Sequence, residues 1–275
     1  MTGDVPPLAG QGPPVPDHQS GERDGDFSSL RERIRRAELE TAWQRVTKPQ
    51  RVLELGGATG YQARILNDWG NDVTSLDVEV PDADLHHPVE RYDGQRLPFP
   101  DATFDVVFSS NVLEHVRNVP ALLAEAARVL RPSGIMIHVL PSPTWRLWTN
   151  VAHYVWVVQS VLLRRPNPEG PRTQPRRPYS LRNVVRFAGG VAIPHAHGVY
   201  ANAIWELYAY SVVRWRRVFR RSGLLVENVA PAGVFYSGYK IMNELDVPAR
   251  KRLAKVLGSS CNVFVLCHDG RQSWL

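Results

Sequence analysis

The ten residues from Arg51 to Gly60, which read RVLELGGATG, constrain the fold more than any other part of the chain. The apolar run that opens this stretch is typical of a buried strand. Two adjacent glycines follow, Gly56 and Gly57, and they remove the side chains at a point where the backbone turns sharply. After Gly60, apolar residues recur at helical spacing, namely Ala63, Leu66 and Trp69. A strand, a glycine turn and a helix N-terminus in this order predict a nucleotide-type pocket in an open α/β sheet.

This glycine turn does not match the dinucleotide-binding pattern G-x-G-x-x-G, because Ala58 and Tyr61 occupy the places of the later glycines. The next segment, Asp72 to Asp77, predicts a second strand that ends in an acid. In α/β nucleotide-binding folds, an acid at this strand end accepts hydrogen bonds from the ribose hydroxyls. Asp77 is therefore predicted to bind a ribose.

Further motifs follow in a fixed order. Residues 89–94 read VERYDG, and residues 97–107 read LPFPDATFDVV. The pattern predicts a fourth strand over 104–109, a turn with the sequence SNVLEHV over 110–116, a helix over 122–130 and a fifth strand over 135–140.

Together these segments, which cover roughly residues 50–141, resemble the class I S-adenosylmethionine-dependent methyltransferases of the domain-11 type. The resemblance implies a methyltransferase that uses S-adenosyl-L-methionine as its cofactor. It also implies an α/β fold, a doubly wound, Rossmann-like seven-stranded sheet whose last strand is antiparallel. Ala58 departs from the family's G-x-G-x-G loop, where the middle glycine would stand. The positions that match cofactor-binding residues are Glu54, Gly56, Gly57, Gly60, Asp77, Asp93, Gly94 and Asn111.

The motifs divide the chain into four parts. Residues 1–26 are rich in Pro, Gly and Asp and are predicted to be a disordered tail. Residues 27–140, which open with a helix over 27–46, form the cofactor-binding half. Residues 141–222 form a large helical insertion between strands 5 and 6, and residues 223–275 supply the strands that close the sheet.

Composition limits the cellular setting and the partners. Cys261 and Cys267 lie six residues apart in an apolar run, too far along one strand to form a disulfide, which favours reduced core residues of a cytoplasmic protein. The formal net charge of +6 is concentrated in arginine clusters over 164–186 and 214–221. No nucleic-acid-binding module is recognised, so solvated faces or an anionic lipid or phosphate partner are the interpretations that remain.

The strongly apolar segment 147–163 is at the short limit for a membrane-spanning helix and contains several polar residues. Two interpretations stay open. The helix covers an apolar substrate as a lid, or it lies in a membrane interface and makes a peripheral contact. A second helix is predicted over 202–221.

Three histidines are candidate catalytic bases: His197, His195 and His115. An imidazole titrates near neutral pH and can take the proton of an attacking hydroxyl. His153, on the apolar helix, is a weaker candidate. No metal site is predicted, because the His195–His197 pair lacks an indicated third ligand.

Three functions remain open. The favoured one is methyl transfer to a hydroxyl of a small or lipid-linked acceptor, such as a saccharide or a specialised metabolite made by biosynthesis. The second is C- or N-methylation of an amphiphilic, quinone-like substrate. The third is a non-catalytic scaffold that binds S-adenosylmethionine, since a fold alone does not select a substrate or guarantee turnover.

Overall fold

The structure, a computed structural model, describes residues 23–162, 194, 197, 199, 202–238, 242 and 244–269. Seven strands form one sheet: β1 (Arg51–Leu55), β2 (Asp72–Asp77), β3 (Val89–Arg91), β4 (Phe104–Ser110), β5 (Leu130–Pro141), β6 (Leu224–Pro231) and β7 (Cys261–His268). Their order is β3-β2-β1-β4-β5-β7-β6. β7 pairs antiparallel with both β5 and β6, whereas the pairs from β3 to β5 are parallel. The predicted fold class is therefore confirmed.

Seven helices flank the sheet in the described residues: α1 (Arg23–Ala42), α2 (Tyr61–Asp68), α3 (Val119–Val129), α4 (Pro143–Leu162), α5 (Ala203–Ala209), α6 (Val212–Arg221) and α7 (Val247–Leu257). On one face of the sheet, α3 and α6 contribute Leu123 and Trp215 to an apolar cluster with Phe264 of β7. On the other face, residues from α1 and α2 pack against Phe108 of β4. Alternate residues of β4 and β7 thus face opposite clusters, as expected for a sheet covered on both sides.

The parallel register brings the strand ends together. Leu55, the last residue of β1, pairs with Leu76 of β2 and with Ser109 of β4. Every segment that follows these strands begins at the same edge of the sheet, so the glycine turn after β1 lies beside Asp77 and beside the turn after β4. Ligands of open α/β sheets bind at this carboxyl edge.

Several local predictions differ from the structure. α3 begins three residues before the helix predicted over 122–130, and β5 begins at Leu130, five residues before the strand predicted over 135–140. The helix expected over 202–221 is split into α5 and α6, because Ser211 is extended and its hydroxyl accepts a hydrogen bond from the Arg214 N–H as an N-cap. α1 begins at Arg23, four residues before the expected start. Residues 1–22 of the predicted tail and 163–193 of the predicted insertion lie outside the described residues.

Both cysteines are buried and free, as their spacing predicts. No helix within the described residues has both the length and the apolar character needed to cross a membrane.

Candidate active site

The glycine turn has no space for side chains. A Cβ atom on Gly56 would lie 2.3 Å from Val112 Cγ2, and one on Gly57 would lie 2.0 Å from Ser75 Oγ. Gly60 has a φ of +73° and a Cβ there would lie 2.4 Å from the carbonyl oxygen of His87. Glycine at these positions therefore lets the turn pack directly against Val112, Ser75 and His87.

Two acids hold this turn in place. Asp77 accepts the Ala58 N–H at 2.8 Å through Oδ2, and its Oδ1 accepts the Glu79 N–H at 3.1 Å. Glu54 is buried and accepts the Ser75 hydroxyl at 2.6 Å. Burial raises the pKa of Glu54 to about 7. Glu54 is thus buried beneath the turn and bonded to Ser75 of β2, whereas Asp77 is half-buried at the end of β2.

The third acid, Asp93, lies one strand further along the same edge. The Tyr92 N–H donates to the Asp77 carbonyl oxygen at 3.0 Å, which links the two segments. Asp93 Oδ1 accepts the N–H groups of Gln95 and Arg96, and these bonds lower the pKa of the exposed carboxyl. Gly94 follows with a φ of +75°. The structure therefore brings Asp77 and Asp93 to neighbouring positions, as the motifs predict.

Asn111 is placed at the start of the turn after β4. Its φ is +56°, a left-handed conformation that asparagine tolerates better than most residues. Its N–H donates to the Val139 carbonyl oxygen at 2.8 Å, and its side-chain oxygen lies 3.6 Å from Cys261 Sγ. These contacts fix the turn between the glycine loop and a neighbouring cavity.

That cavity has a volume of about 370 Å³ and opens beside Asn111. Its walls combine apolar side chains from α1 and α4 with cationic and aromatic ones. The lining residues are Leu30, Arg31, Ile34, Arg35, Asn111, His115, Pro141, Trp145, His197, Tyr236, Ser237, Gly238 and Arg250. A volume of this size suits a small molecule or the reactive end of a larger one.

His115 and His197, two of the three predicted bases, meet in the wall of this cavity. Their ring centroids are 5.0 Å apart, and the Trp145 ring lies 4.8 Å from His197 on its other side. Desolvation lowers the pKa of His115, and desolvation with a contribution from neighbouring His115 lowers the pKa of His197 to about 4, although both side chains keep part of their surface exposed. A neutral imidazole has one ring nitrogen that can accept a proton. His195 lies outside the described residues, and His153 is buried in α4 away from the cavity lining.

Glu114 completes a cluster with the two histidines. It is fully buried, and neither carboxylate oxygen has a hydrogen-bond partner in the described part of the chain. Its Oε1 lies 3.9 Å from His115 Nε2. Burial raises the pKa of Glu114 to about 8, because the charged form loses its hydration.

Two buried ion pairs surround the cluster. Arg35 pairs with Glu38 at 2.6 Å, and the Tyr236 hydroxyl donates to the same carboxylate at 3.0 Å. Arg146 pairs with Glu206 at 3.0 Å. The other oxygen of Glu206 accepts the backbone N–H of His197 at 2.6 Å, which fixes the position of that histidine.

Sequence reasoning missed Glu114, Arg35, Trp145 and Tyr236 as parts of the site. One indication of Glu114 was present in the sequence, because this acid follows apolar Val112 and Leu113 and precedes His115. Arg35 and Tyr236 had no such indication, because 201 residues separate them and only the tertiary structure brings them into contact.

The geometry defines an α/β protein with a glycine turn and two acids at the carboxyl edge of its sheet and a partly apolar cavity beside them. A family model described as "Methyltransferase domain" matches residues 53–138. A demethylmenaquinone methyltransferase of Beutenbergia cavernae is 30% identical over 176 residues, which cover 58% of this chain and 72% of that protein. The chain therefore belongs to the class I S-adenosylmethionine-dependent methyltransferases.

Other similarities cover less of the relative or show the fold only. A malonyl-[acyl-carrier protein] O-methyltransferase of Serratia marcescens is 36% identical over 32% of this chain and 37% of that protein. The chain spans 24–38% of the length of that relative and two further curated ones. A solved structure of geranyl diphosphate C-methyltransferase from Streptomyces coelicolor has a TM-score of 0.51 at 11% identity, and the match covers 92% of this chain and 87% of that one.

The residues present fit S-adenosylmethionine. The turn over 56–60 admits no side chain at three of its positions, so its main chain is bare there. Asp77 and Asp93 supply carboxylates, which are natural acceptors for ribose hydroxyls and for the amino group of adenine. Asn111 lies at the start of the turn after β4 and lines the cavity.

Proposed function

We propose that this protein transfers a methyl group from S-adenosylmethionine to a hydroxyl of a small or lipid-linked acceptor, a saccharide or a specialised metabolite. The observation that carries the proposal is the pair of imidazoles, His115 and His197, in the wall of a cavity that opens beside Asn111. Gly56 packs against Val112, only one residue from Asn111 in the cavity wall, so the two pockets share a short boundary.

When bound, the cofactor supplies an electrophilic methyl group on a sulfonium. The chain itself holds the cofactor through the bare turn and the carboxylates of Asp77 and Asp93. The cavity aligns the acceptor, which removes much of the entropic cost of a two-substrate reaction. A ring nitrogen of His115 or His197 takes the hydroxyl proton as the oxygen attacks, since a hydroxyl is a better nucleophile as its proton leaves. His195 stays a third candidate for this role.

The cavity walls favour an amphiphilic acceptor. Leu30, Ile34 and Trp145 provide apolar surface, while His115, Tyr236 and Ser237 provide polar groups next to it. An acceptor with an apolar body and a polar end matches both kinds of surface.

A second candidate is C- or N-methylation of a quinone-like amphiphile. It is supported by the B. cavernae relative, whose name gives demethylmenaquinone as its substrate and of which this chain covers 72%. The two candidates differ in the atom that receives the methyl group, which NMR of the purified product identifies directly.

The test begins with an untargeted comparison of metabolites between a deletion strain and its parent, which supplies acceptor candidates. The purified protein is then assayed for S-adenosylhomocysteine production with each candidate. Replacement of the correct base, through His197→Ala or His115→Ala, is expected to lower turnover about 10²- to 10⁴-fold while cofactor affinity stays the same. Unchanged turnover in both variants would refute the role of these imidazoles. Absence of cofactor binding by the parent protein would refute the proposed activity.

We further propose a peripheral membrane contact through α4. Its inward face is mixed, with polar Arg146, Thr149 and His153 buried together with Trp145 and Ala152. Its outward face carries exposed apolar side chains, and exposed residues of neighbouring α5 extend the patch. These residues are Leu147, Val151, Tyr154, Val155 and Trp156 on α4, and Ile204, Trp205 and Tyr208 on α5. Such a face, next to the arginines of α6, matches a helix in a membrane interface.

Vesicle sedimentation tests this contact. The protein is expected to sediment with vesicles of anionic lipid, less with neutral ones, and less as salt screens the arginine charges. Val151→Asp with Val155→Asp should abolish sedimentation and leave cofactor affinity intact. If the parent stays in the supernatant with every vesicle composition, the exposed face does not bind lipid, and the interpretation of α4 as a substrate lid is then favoured.

A further inference from the structure

One of the three carboxylates buried around the cavity is not paired with an arginine. Three carboxylates, those of Glu38, Glu114 and Glu206, are fully buried. Arg35 neutralises Glu38 and Arg146 neutralises Glu206, each through a direct ion pair. Glu114 has no such arginine and no hydrogen-bond donor in the described residues. A buried carboxylate in this state is costly unless a proton or a cation joins it.

Two imidazoles complete a set of metal-ligating atoms around Glu114. One ligand atom from each of Glu114, His115 and His197 lies within 4.8 Å of the others. In a tetrahedral zinc site, bonds of about 2.0–2.1 Å place ligand atoms roughly 3.3 Å apart. The three side chains would therefore have to close by about 1 Å or more, which changes in their χ angles can supply.

The surrounding residues hold these ligands as a metal site requires. Glu206 fixes the backbone of His197, and the Trp145 ring packs against the imidazole. Glu114 and His115 are adjacent in the turn after β4, whose start Asn111 anchors to β5. Both histidines face the cavity, so coordination positions not taken by the protein are open to a ligand there.

We propose that Glu114, His115 and His197 bind one divalent transition-metal ion of the zinc class. Two imidazole nitrogens and one carboxylate oxygen are the donor set of three-ligand zinc sites that keep one position open. The sequence indicated His195 and His197 as a possible metal pair without a third ligand, whereas the fold supplies two ligands for His197 from a turn about 80 residues away.

The catalytic role of this ion, unlike its binding, rests on the proposed function. An ion at this place would take the oxygen of the acceptor hydroxyl as its fourth ligand. Coordination favours loss of the hydroxyl proton, which passes to solvent, so the oxygen is a stronger nucleophile. The ion would then replace a free imidazole in activating the acceptor, and the imidazoles would act as its ligands.

The experiment uses the full-length protein without a polyhistidine tag, freed of metal by dialysis against a chelator. Calorimetry with Zn²⁺ and visible absorption with Co²⁺ measure binding independently of activity. We expect one Zn²⁺ per chain and a cobalt spectrum typical of tetrahedral coordination. Glu114→Gln, His115→Ala and His197→Ala are each expected to weaken Zn²⁺ binding at least 100-fold. Glu114→Gln has nearly the same shape as the parent residue, so it should remove the carboxylate without unfolding the protein. An unchanged affinity for S-adenosylmethionine in this variant would show that the fold is intact.

His268→Ala is the matched control, because His268 lies at the opposite end of β7, where it pairs with Leu224. It should bind Zn²⁺ like the parent. Failure of the parent to bind one equivalent of either ion, or parent-like binding by both Glu114→Gln and His197→Ala, would overturn the proposal. A parent that binds S-adenosylmethionine and methylates a hydroxyl without binding Zn²⁺ refutes the ion site alone. A parent that binds Zn²⁺ at these residues but not the cofactor refutes the proposed function alone.

Discussion

Asp77 is the residue on which cofactor binding should depend most. Its Oδ2 holds the Ala58 N–H at 2.8 Å and its Oδ1 holds the Glu79 N–H at 3.1 Å, so the carboxylate is already fixed at the end of β2. A hydrogen bond to a charged acceptor contributes about 1.5–3 kcal/mol. Loss of the carboxylate in Asp77→Ala is therefore expected to weaken S-adenosylmethionine binding about 10- to 100-fold. Asp77→Asn keeps one acceptor oxygen but removes the charge. Its affinity for S-adenosylmethionine should lie between those of Asp77→Ala and the parent protein.

Calorimetry on the purified variants measures these affinities. Asp72→Ala is the control, because Asp72 lies at the other end of the same strand and makes only an exposed pair with Arg51 at 3.4 Å. Thermal unfolding without cofactor separates a lost ligand contact from a loosened turn. An affinity of Asp77→Ala equal to that of Asp72→Ala would refute the placement of the ribose at this strand end.

Three further predictions concern stability. Ala58 adopts a φ of +48°, which costs an L-residue about 1 kcal/mol relative to glycine, so Ala58→Gly should raise the midpoint of thermal unfolding by a few degrees; a lower midpoint would contradict this. Gly60→Ala and Gly70→Ala both place alanine at positive φ, but only at Gly60 would the Cβ meet the backbone of His87. Gly60→Ala should therefore unfold at clearly lower denaturant concentration than Gly70→Ala, and equal midpoints would refute the steric argument. Burial lowers the pKa of His138 to about 3, so the folded state takes up its proton at lower pH than the unfolded state. The contribution of neutral His138 to the free energy of unfolding is therefore complete above about pH 6.5 and is lost as pH falls from about 6.5 toward 3. His138→Gln should flatten that part of the pH profile in urea unfolding, and an unchanged slope would count against it.

The arrangement of the sheet could be predicted because its signals are local and ordered. Strand-compatible runs, the glycines at 56, 57 and 60, and acids at strand ends each reflect a constraint on neighbouring residues. The split between α5 and α6 was missed because the N-cap at Ser211 interrupts an apolar pattern that alone reads as one helix. Packing also decides which residues of α5 are buried, since apolar Ile204 and Tyr208 are exposed, whereas Glu206 is buried with Arg146.

The sequence by itself determined the fold class, the family resemblance and the edge of the sheet where the cofactor residues lie. These follow from backbone requirements, since a turn without Cβ space needs glycine and a strand end beside it positions a carboxylate. Only the tertiary structure decided which side chains form the second cavity. Arg35, Glu114, His197 and Tyr236 come from four separate segments, and their burial and pairing depend on how those segments pack. The isolation of Glu114 from hydrogen-bond donors cannot be recognised until the packing of the described residues is known.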